Sequence, residues 1–594
     1  MKKLLLIMAL SISALVLNAQ EIGDWDYVDC GDYKFECEII SLTPPECKLD
    51  AAWIYSEDAE IVIPSSVSID GNEYAVVDLD ASFNLGKSIY IPKTIRTISS
   101  LPISYSTITK VIFENNSQLT KLNHSTFADA LSLTSVDFGD DSQLTEIEGF
   151  WGRAGVFHNC TSLINVDFGK NSKLIAIGGG TETAGGCGVF SDCTSLKNIC
   201  IPSSVTKLGA WVFDGCTSLT DIEFDDNSNL DTIYFNAFNE CSALKKVDLS
   251  KCSKLKFIDS YVFDDCTSLE NIKFSNSIEE IDILAFNNCI SLKSIDLSQC
   301  SKLKSIVHGL FADCSSLEDV KLPNTIEEIG YSTFHNCISL KNINLLQCSK
   351  LKYINSSVFE NCQSLVSIEL PMGIEKIEDS AFENCSSLQN INLMNCINLD
   401  RVERNAFSGC IVLQNINFSN TKLNGISYNA FGGCVSLADV VLPSSISEIE
   451  GAFENCSNLR SVKCYAESVP TMYGSVFDGC PEYFVIYVPA SSVELYKSDF
   501  NWGQYTIKPL EDLNVVEFVS ENEINIYPNP AKDNLFIETD VEIEDVCVYD
   551  INGILVYKGL IYDNTLDVVN LNCGVYFVKV KINNKEIVKY FVKE

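Results

Sequence analysis

A motif repeated between residues 127 and 480 limits the possible folds of this chain more than any other feature. Its clearest copies lie within residues 381–410, where Phe-x-x-Cys-x-Ser-Leu-x-x-Ile-x-Leu starts at Phe382 and the next copy opens at Phe407. A degenerate copy at Phe127 lacks the cysteine. A short, regular period of this kind indicates a solenoid, in which each copy packs only against its neighbours. The phenylalanines followed three residues later by cysteine are Phe157, Phe190, Phe213, Phe238, Phe263, Phe286, Phe311, Phe334, Phe359, Phe382, Phe407, Phe431, Phe453 and Phe477.

The spacing inside each copy predicts one β-strand per rung, where a rung is one turn of the coil. From Phe238 to Phe407 the steps alternate between 25 and 23 residues, and residues 388–396 match the leucine-rich repeat signature Leu-x-x-Ile-x-Leu-x-x-(Asn/Cys). Because successive side chains in a strand point to opposite faces, Ile391 and Leu393 face the core and the asparagines between and before them face solvent. We interpret the Ala-Phe-x-x-Cys segment as a short helical turn on the outer arc.

The repeat motif also resembles that of a known protein family. Residues 331–345 and 380–393, with their Phe, Cys, Ser-Leu and Ile-x-Leu positions, resemble the BspA-type leucine-rich repeat proteins of bacterial surfaces. Proteins of this type are known as adhesins, so the resemblance implies binding to host matrix proteins or to other cells. We expect a β-rich leucine-rich-repeat solenoid, right-handed, with about 15 rungs and short helical turns on the convex side, followed by a small Ig-like β-sandwich.

The N-terminal part contains a predicted leader and a cap. Two lysines, a 14-residue apolar run and Ala19 predict a signal peptide over residues 1–19. The run is shorter than the roughly 20 residues that a membrane span needs, and we predict no transmembrane segment in the mature chain. Residues 20–125 are interpreted as a leader and capping segment, with a hairpin turn at Asp70 and Gly71.

The repeats, over residues 126–480, are followed by a predicted cap at residues 481–510 and a linker at residues 511–524. Ser491 and Glu494 have the spacing of a capping box. Val493, Tyr496 and Phe500 fall on one face of the helix that such a box would start. We therefore expect a strand and an amphipathic helix to cover the last rung.

Residues 525–594 contain short alternating strands separated by turns, which predicts a small β-sandwich. The segment resembles the type IX (Por) secretion system C-terminal sorting domain. The resemblance rests on a closing strand rich in lysine and on the residues Tyr527, Pro528, Asn529, Pro530, Gly574 and Tyr576. It implies passage through the outer membrane by the type IX machinery, removal of the domain, and a final place on or outside the surface of a Gram-negative cell.

Two groups of residues are candidates for ligand binding. The intervals from Phe127 to Phe157 and from Phe157 to Phe190 are longer than the other repeat intervals. The extra residues of the first interval include Phe150, Trp151 and Arg153, which are residue types that anchor interfaces. The alternative is that these rings pack on the flank of the solenoid. The second group is the column of polar residues between the last two apolar positions of each strand, which forms either a broad polar binding surface or a passive solvated sheet. Its candidate residues are Asp296, Lys321, Asn344, Glu369, Asn392 and Asn417.

The cysteines and histidines do not indicate an enzyme. Of the 26 cysteines, 14 follow the repeat phenylalanines, and we interpret these as buried thiols that act as small apolar side chains. One disulfide among Cys30, Cys37 and Cys47 is plausible in an exported chain, with the pairing left open. The four histidines lie in different repeats without catalytic or zinc spacing. We predict no catalytic residue, metal or cofactor.

The acidic balance excludes some partners. A formal net charge of −38 repels nucleic acid phosphates and anionic lipids. The function expected from the sequence is therefore an exported surface protein that binds proteins or glycoproteins of a host or of neighbouring cells, as an adhesin. Two alternatives stay open: glycan capture, which requires aromatic side chains along one face, and a structural coat without a specific ligand.

Overall fold

The chain forms two compact units, Met1–Lys508 and Pro509–Glu594, which are described separately. The signal peptide and almost all of the linker predicted from the sequence lie outside the described residues. The computed structural model describes residues 21–594 except 124, 149, 152–154, 179–185, 511–523, 540–542, 551–554, 560, 562–563, 573, 583–584 and 594.

A mixed sheet caps the N-terminal end of the solenoid. Its strands pair in the order β1 (Trp25–Asp29), β2 (Tyr33–Leu42), β3 (Pro45–Ile54), β6 (Asn72–Asp80) and β5 (Ser66–Ile69), and the later strand Thr97–Ser100 also pairs with β6. β5 and β6 form the hairpin predicted at Asp70 and Gly71, both of which have positive φ. The prediction of this turn is confirmed. The remaining early strand, β4 (Glu60–Val62), lies between β3 and β5 in the chain.

The solenoid is built from short parallel strands that stack rung upon rung, which confirms the predicted fold class. Strands of the first row carry the Ile-x-Leu positions of the repeat. They are β4, Ser88–Ile91, Lys110–Phe113, Ser135–Asp137, Asn165–Asp167, Asn198–Ile201, Asp221–Phe224, Lys246–Asp248, Asn271–Lys273, Ser294–Asp296, Asp319–Lys321, Asn342–Ile343, Ser367–Ile368, Asn390–Ile391, Asn415–Asn417, Asp439–Leu442, Ser461–Cys464, Val485–Val488 and Thr506–Pro509.

A second row of strands, which the sequence pattern did not predict, lies between the first row and the next phenylalanine. Its strands are two or three residues long in most rungs, too short for an alternating pattern to be recognised. They are Thr97–Ser100, Lys121–Leu122, Glu146–Ile147, Ala176–Ile177, Lys207–Leu208, Thr232–Ile233, Phe257–Ile258, Glu280–Ile281, Ser305–Ile306, Glu328–Ile329, Tyr353–Ile354, Lys376–Ile377, Arg401–Val402, Gly425–Ile426, Glu448–Glu450 and Thr471–Tyr473.

The repeat phenylalanines form one continuous stack through the core. Fifteen rings, from Phe127 to Phe477, follow one another with centroids 5.1 to 5.8 Å apart and planes within 19° of parallel. Each ring is buried. Because every ring covers both of its neighbours, the apolar face of one rung is completed only by the next.

The repeat cysteines are buried, as expected, except for the half-buried Cys480, and they also donate hydrogen bonds. In all fourteen Phe-x-x-Cys copies, Sγ lies 3.1 to 3.3 Å from the carbonyl oxygen of the phenylalanine one rung earlier. The backbone N–H of Cys385 donates to Phe382 across a tight turn of the same rung. The Ala-Phe-x-x-Cys segments are thus single turns, each tied to the rung before it.

The C-terminal cap differs from the predicted capping box. Helix α1 (Val493–Ser498) starts after a 3₁₀ turn at Ala490–Ser492, and Ser492 precedes it without a side-chain capping bond. Ser492 Oγ instead donates to the carbonyl oxygen of Glu467, 2.8 Å away. Tyr496 is buried, whereas Phe500 lies beyond the helix and is exposed. A second short 3₁₀ turn at Trp502–Gln504 supplies the buried ring in its place.

The C-terminal unit consists of two antiparallel sheets around one apolar core, consistent with the predicted Ig-like sandwich. No helix in the described part of the chain has the length and hydropathy of a membrane span. One sheet contains Asn525–Tyr527, Asn534–Glu538 and Thr565–Asp567; the other contains Asp545–Asp550, Leu555–Gly559, Gly574–Ile582 and Lys585–Lys593.

Candidate binding surfaces

The polar column of the first row is exposed or half-buried, as its alternation with the core positions requires. Several of its side chains are used within the coil. Asn392 donates to the carbonyl oxygen of Leu370 and accepts from the Leu370 N–H, at 2.9 and 2.7 Å, so both ends of its amide are occupied. Asn344 and Asn417 each accept from a backbone N–H two residues later. These three amides shape the turns after the strands.

The charged members of the column remain available to solvent. Asp296 Oδ2 lies 3.8 Å from Lys321 Nζ on the next rung, and both side chains are more than half exposed. A hydrogen bond from Ser298 lowers the pKa of Asp296. Glu369 is half-buried. The column is therefore a ridge of exposed charges between locally satisfied amides, and its role in binding stays a prediction.

The two long insertions of the early rungs pair with each other. Phe150–Trp151 and Gly186–Cys187 form a two-stranded antiparallel ladder, with Phe150 opposite Cys187 and Trp151 opposite Gly186. The side chains of these four residues, and all of Arg153, lie outside the described residues. The backbone nevertheless shows that the insertions build one shared element, which we call the insertion ladder.

An aromatic row that the sequence analysis missed adjoins the insertion ladder. Trp211, Phe235 and Tyr261 belong to three consecutive rungs and make edge-to-face contacts, with centroids 5.0 and 5.5 Å apart. A Cβ on Gly188, which follows the ladder directly, would stand 1.5 Å from the carbonyl oxygen of Trp211, so the two backbones touch. The three rings are half-buried. The available signal was an aromatic residue two or three positions before the repeat phenylalanine.

The N-terminal cysteines are free thiols in the structure. Cys37 and Cys47 are both buried, on the neighbouring strands β2 and β3, and their registers are two residues apart. A hydrogen bond that the Cys37 thiol donates to Cys47 raises the pKa of Cys37. Cys30 is partly exposed. In the part of the chain that the structure describes, no group of three or more His, Cys, Asp or Glu residues has the geometry of a metal site.

The sorting motif is hydrogen-bonded to the last strand of the C-terminal unit. Asn529 donates to the carbonyl oxygen of Tyr590 at 3.1 Å and accepts from the Val592 N–H at 2.9 Å. Tyr576 is buried and its hydroxyl donates to the carbonyl oxygen of Asn572 at 3.0 Å. Tyr527 is half exposed. Asn529 and Tyr576 thus hold the domain together, while the Tyr527 ring faces outward.

Comparison with known proteins finds similar chains among solved structures. A leucine-rich repeat protein from Bacteroides ovatus is 21% identical, with 83% of this chain and 99% of that chain covered and a TM-score of 0.42. A leucine rich cell surface protein from Faecalibacterium prausnitzii is 17% identical, with 76% and 95% covered and a TM-score of 0.29. The pneumococcal vaccine antigen PcpA is 18% identical, with 82% and 99% covered and a TM-score of 0.30. No curated protein matches the chain.

Two family models match most of the chain. The C-terminal secretion system sorting domain matches residues 525–594, which assigns the protein to type IX secretion and to the cell surface or exterior. The model of the BspA type leucine rich repeat region, which itself describes six repeat copies, matches four stretches of the chain: residues 81–179, 186–315, 285–400 and 395–506. The chain therefore belongs to the BspA-type leucine-rich repeat proteins and ends in a secretion system C-terminal sorting domain.

Proposed function

We propose that the solenoid is an adhesin that binds a protein or glycoprotein of a host or of neighbouring cells, without catalysis. The site is the insertion ladder with Phe150, Trp151 and Arg153, extended by the aromatic row. The exposed charges of Asp296 and Lys321 form a second, weaker contact region further along the coil.

The pairing of the two insertions supports this proposal. A loop that serves only as a connection does not need a partner, whereas these two, from neighbouring rungs, order each other through backbone hydrogen bonds. Insertions in repeat proteins lie on one face, which is often the binding face. Because the backbone of the ladder is already held by pairing and by its contact with Trp211, it has less entropy to lose on binding.

The test uses residues 20–594 on arrays of extracellular matrix proteins and glycans. The variant Trp151→Ala/Arg153→Ala removes two anchors, and loss of interface anchors of these types typically costs about 2 kcal/mol or more, so we expect affinity for a protein target to fall about 30-fold. The control variant Tyr331→Ala/Lys304→Ala removes an exposed aromatic ring and a positive charge elsewhere on the coil. A third variant, Asp296→Ala/Lys321→Ala, reports on the polar column.

The adhesin proposal is supported if the wild-type chain and the control variant bind a protein saturably and the Trp151 variant does not. Equal binding by all variants places the site elsewhere and contradicts the proposal. Binding to glycans alone favours capture of a glycan, the second candidate. That candidate is supported by the row of Trp211, Phe235 and Tyr261, since stacked sugars require aromatic side chains along one face.

A further inference from the structure

Three aromatic side chains stand exposed on the outer face of the N-terminal cap, far in sequence from the insertion ladder. Trp25 is 52% exposed, Trp53 41% and Tyr27 36%. Their rings touch: the centroids of Trp25 and Tyr27 are 5.1 Å apart, and those of Tyr27 and Trp53 are 5.8 Å apart. Exposed aromatic clusters mark interaction sites, because a folded chain otherwise covers such rings. We call Trp25, Tyr27, Lys34 and Trp53 the cap patch.

The cap patch already holds a positive charge. Lys34 Nζ lies 3.8 Å from the centroid of the Tyr27 ring, within cation–π distance. β1 and β2 pair antiparallel with Asp29 opposite Lys34, so that the lysine reaches the ring diagonally across the ladder. Tryptophan binds cations more strongly than tyrosine does. The exposed rings of Trp25 and Trp53 are therefore suited to a cation supplied from outside.

Carboxylates surround the cap patch on the same face. Trp25 stands opposite Glu38, and Tyr27 stands opposite Glu36. Lys48, the other lysine of this face, lies 3.1, 2.6 and 3.6 Å from carboxylate oxygens of Glu38, Asp50 and Asp80. The hydrogen bond that Lys48 donates to Asp50 is the main cause of its raised pKa. The face thus carries an excess of negative charge next to the aromatic rings, which attracts cations and repels phosphates and anionic lipids.

The strand that carries Trp25 and Tyr27 has an open side. β1 ends the strand order of its sheet, and among the described residues only β2 pairs with it. An extended segment laid along such an edge gains backbone hydrogen bonds while its alternate side chains reach the outer face. The edge therefore favours a polypeptide over a compact ligand.

We propose that the cap patch docks a lysine- or arginine-rich segment of another protein. Cations of the segment lie over Trp25 and Trp53 and pair with Glu36 and Glu38. This surface is separate from the insertion ladder, so that its test does not depend on the function proposed above. A neutral glycan would gain nothing from the carboxylates, and an anionic membrane would be repelled by them.

The probe is a fluorescein-labelled peptide of alternating Arg and Thr, with a Glu and Thr peptide as its counterpart, titrated with residues 20–594 at about 0.15 M ionic strength. The variant Trp25→Ala/Trp53→Ala keeps the net charge, so non-specific attraction to the acidic chain is unchanged. Loss of two cation–π contacts should weaken binding of the Arg peptide about tenfold. Tyr331→Ala/Tyr428→Ala removes two exposed rings of the solenoid and should leave affinity within about twofold of wild type.

A second variant, Glu36→Gln/Glu38→Gln, keeps the rings and should weaken binding about threefold or more, with a smaller dependence on salt. Equal affinity of wild type and the Trp25 variant for the Arg peptide would overturn the proposal, because the attraction would then come from net charge alone. Binding of the Glu peptide, or of arrayed glycans, with the same dependence on Trp25 would assign the patch to a different occupant and overturn it equally.

Discussion

At the scale of single residues, two properties of cysteine together explain why it recurs in the repeat. It fills a small buried space, and its thiol donates to the phenylalanine carbonyl of the rung before. Burial raises the pKa of the Cys434 thiol to about 12, so this thiol stays protonated and able to donate at neutral pH. Alanine would leave a gap, and valine would fill it without a donor.

We predict that Cys385→Ala lowers the free energy of unfolding by about 1 to 3 kcal/mol, through lost side-chain volume and the lost hydrogen bond to the Phe359 carbonyl oxygen. Cys385→Val should cost less than the alanine variant. The measurement is the shift of the urea midpoint. Cys200→Ala is the control, because Cys200 is exposed and outside the ladder, and it should change stability by less than about 0.5 kcal/mol. Equal shifts for Cys385 and Cys200 would contradict the role of the ladder.

The residue before each repeat cysteine adopts a left-handed backbone, which explains why asparagine, aspartate and glycine recur there. Asn361 has φ of 60°, donates to Asn336 at 2.8 Å and accepts from Asn384 at 3.1 Å. Gly409 occupies the equivalent position two rungs later with φ of 75°. Glycine adopts this left-handed backbone conformation without strain, so no side-chain hydrogen bonds are needed to hold it.

Asn361→Ala should therefore destabilise the coil by about 2 kcal/mol, since it loses both hydrogen bonds and forces a side chain into left-handed φ. Asn361→Gly loses only the hydrogen bonds, and should cost about 1 kcal/mol less than alanine. Urea unfolding of the two variants separates the two effects. If alanine and glycine were equally destabilising, backbone conformation would not be the reason for the residue choice.

Asp214 is a half-buried carboxyl that opposes folding at neutral pH. Burial is the largest cause of its raised pKa, about 6, although Asn239 donates to it at 2.7 Å. The folded state binds the proton more tightly than the unfolded state, whose pKa is near 3.9, so ionisation above pH 6 costs stability that is recovered as the pH falls.

We expect Asp214→Asn to stabilise the protein at pH 7.5 by about 1 kcal/mol, less than the full shift implies because the carboxyl keeps some contact with water. Below pH 4.5 the benefit should largely vanish. Thermal unfolding at both values measures it, with Asp226→Asn, whose side chain is 85% exposed, as the control. A benefit of the same size at both pH values would contradict ionisation as the cause.

At the scale of elements, the solenoid depends on its ends. The last rung is covered by α1 and the turn after it, where Trp502 is fully buried, donates from Nε1 to the carbonyl oxygen of Pro470 at 2.7 Å, and meets Tyr496 edge to face at 5.1 Å. Because each rung contacts only its neighbours, damage at the cap should spread inward from that end.

We predict that Trp502→Ala destabilises the cap by about 3 to 5 kcal/mol. Hydrogen exchange should show faster exchange for the strands at Glu448–Glu450 and Thr471–Tyr473 than in wild type, with little change at Thr232–Ile233. Phe500→Ala, at an exposed ring of the same cap, should leave exchange unchanged. Uniform loss of protection along the coil would contradict local coupling between rungs.

At the scale of the whole molecule, we predict that export depends on a folded sorting unit. Asn529→Ala removes both bonds to the final strand and should destabilise this unit by about 1 to 3 kcal/mol, lowering the fraction of protein that reaches the cell exterior. Immunoblots of surface and cell-associated fractions measure this. Val569→Ser changes an exposed side chain and should be exported normally. Normal export of the Asn529 variant would show that these bonds are dispensable.

The core positions of the repeat could be predicted from the sequence because each recurs in many copies of the motif. A single copy of the pattern at Phe382, Cys385 and Ile391 would be ambiguous. Fourteen copies at a regular spacing indicate a stacked coil. The sorting domain was recognisable for a similar reason, through a specific local motif at Tyr527 to Pro530. The capping box at Ser491 failed because tertiary contacts redirected the neighbouring Ser492 to the Glu467 carbonyl.

Sequence alone therefore determined the coil, its core register and its export, since these follow from periodic hydrophobicity and local motifs. Only the tertiary structure decided what lies side by side across rungs: the second row of strands, the thiol bonds to Phe359 and its equivalents, the pairing of the two insertions, and the contact of Trp25 with Tyr27. Those arrangements join residues of different rungs or residues outside the repeat. The sequence period identifies the repeated residues but not their contacts, because stacking and chain reversal in three dimensions create those contacts.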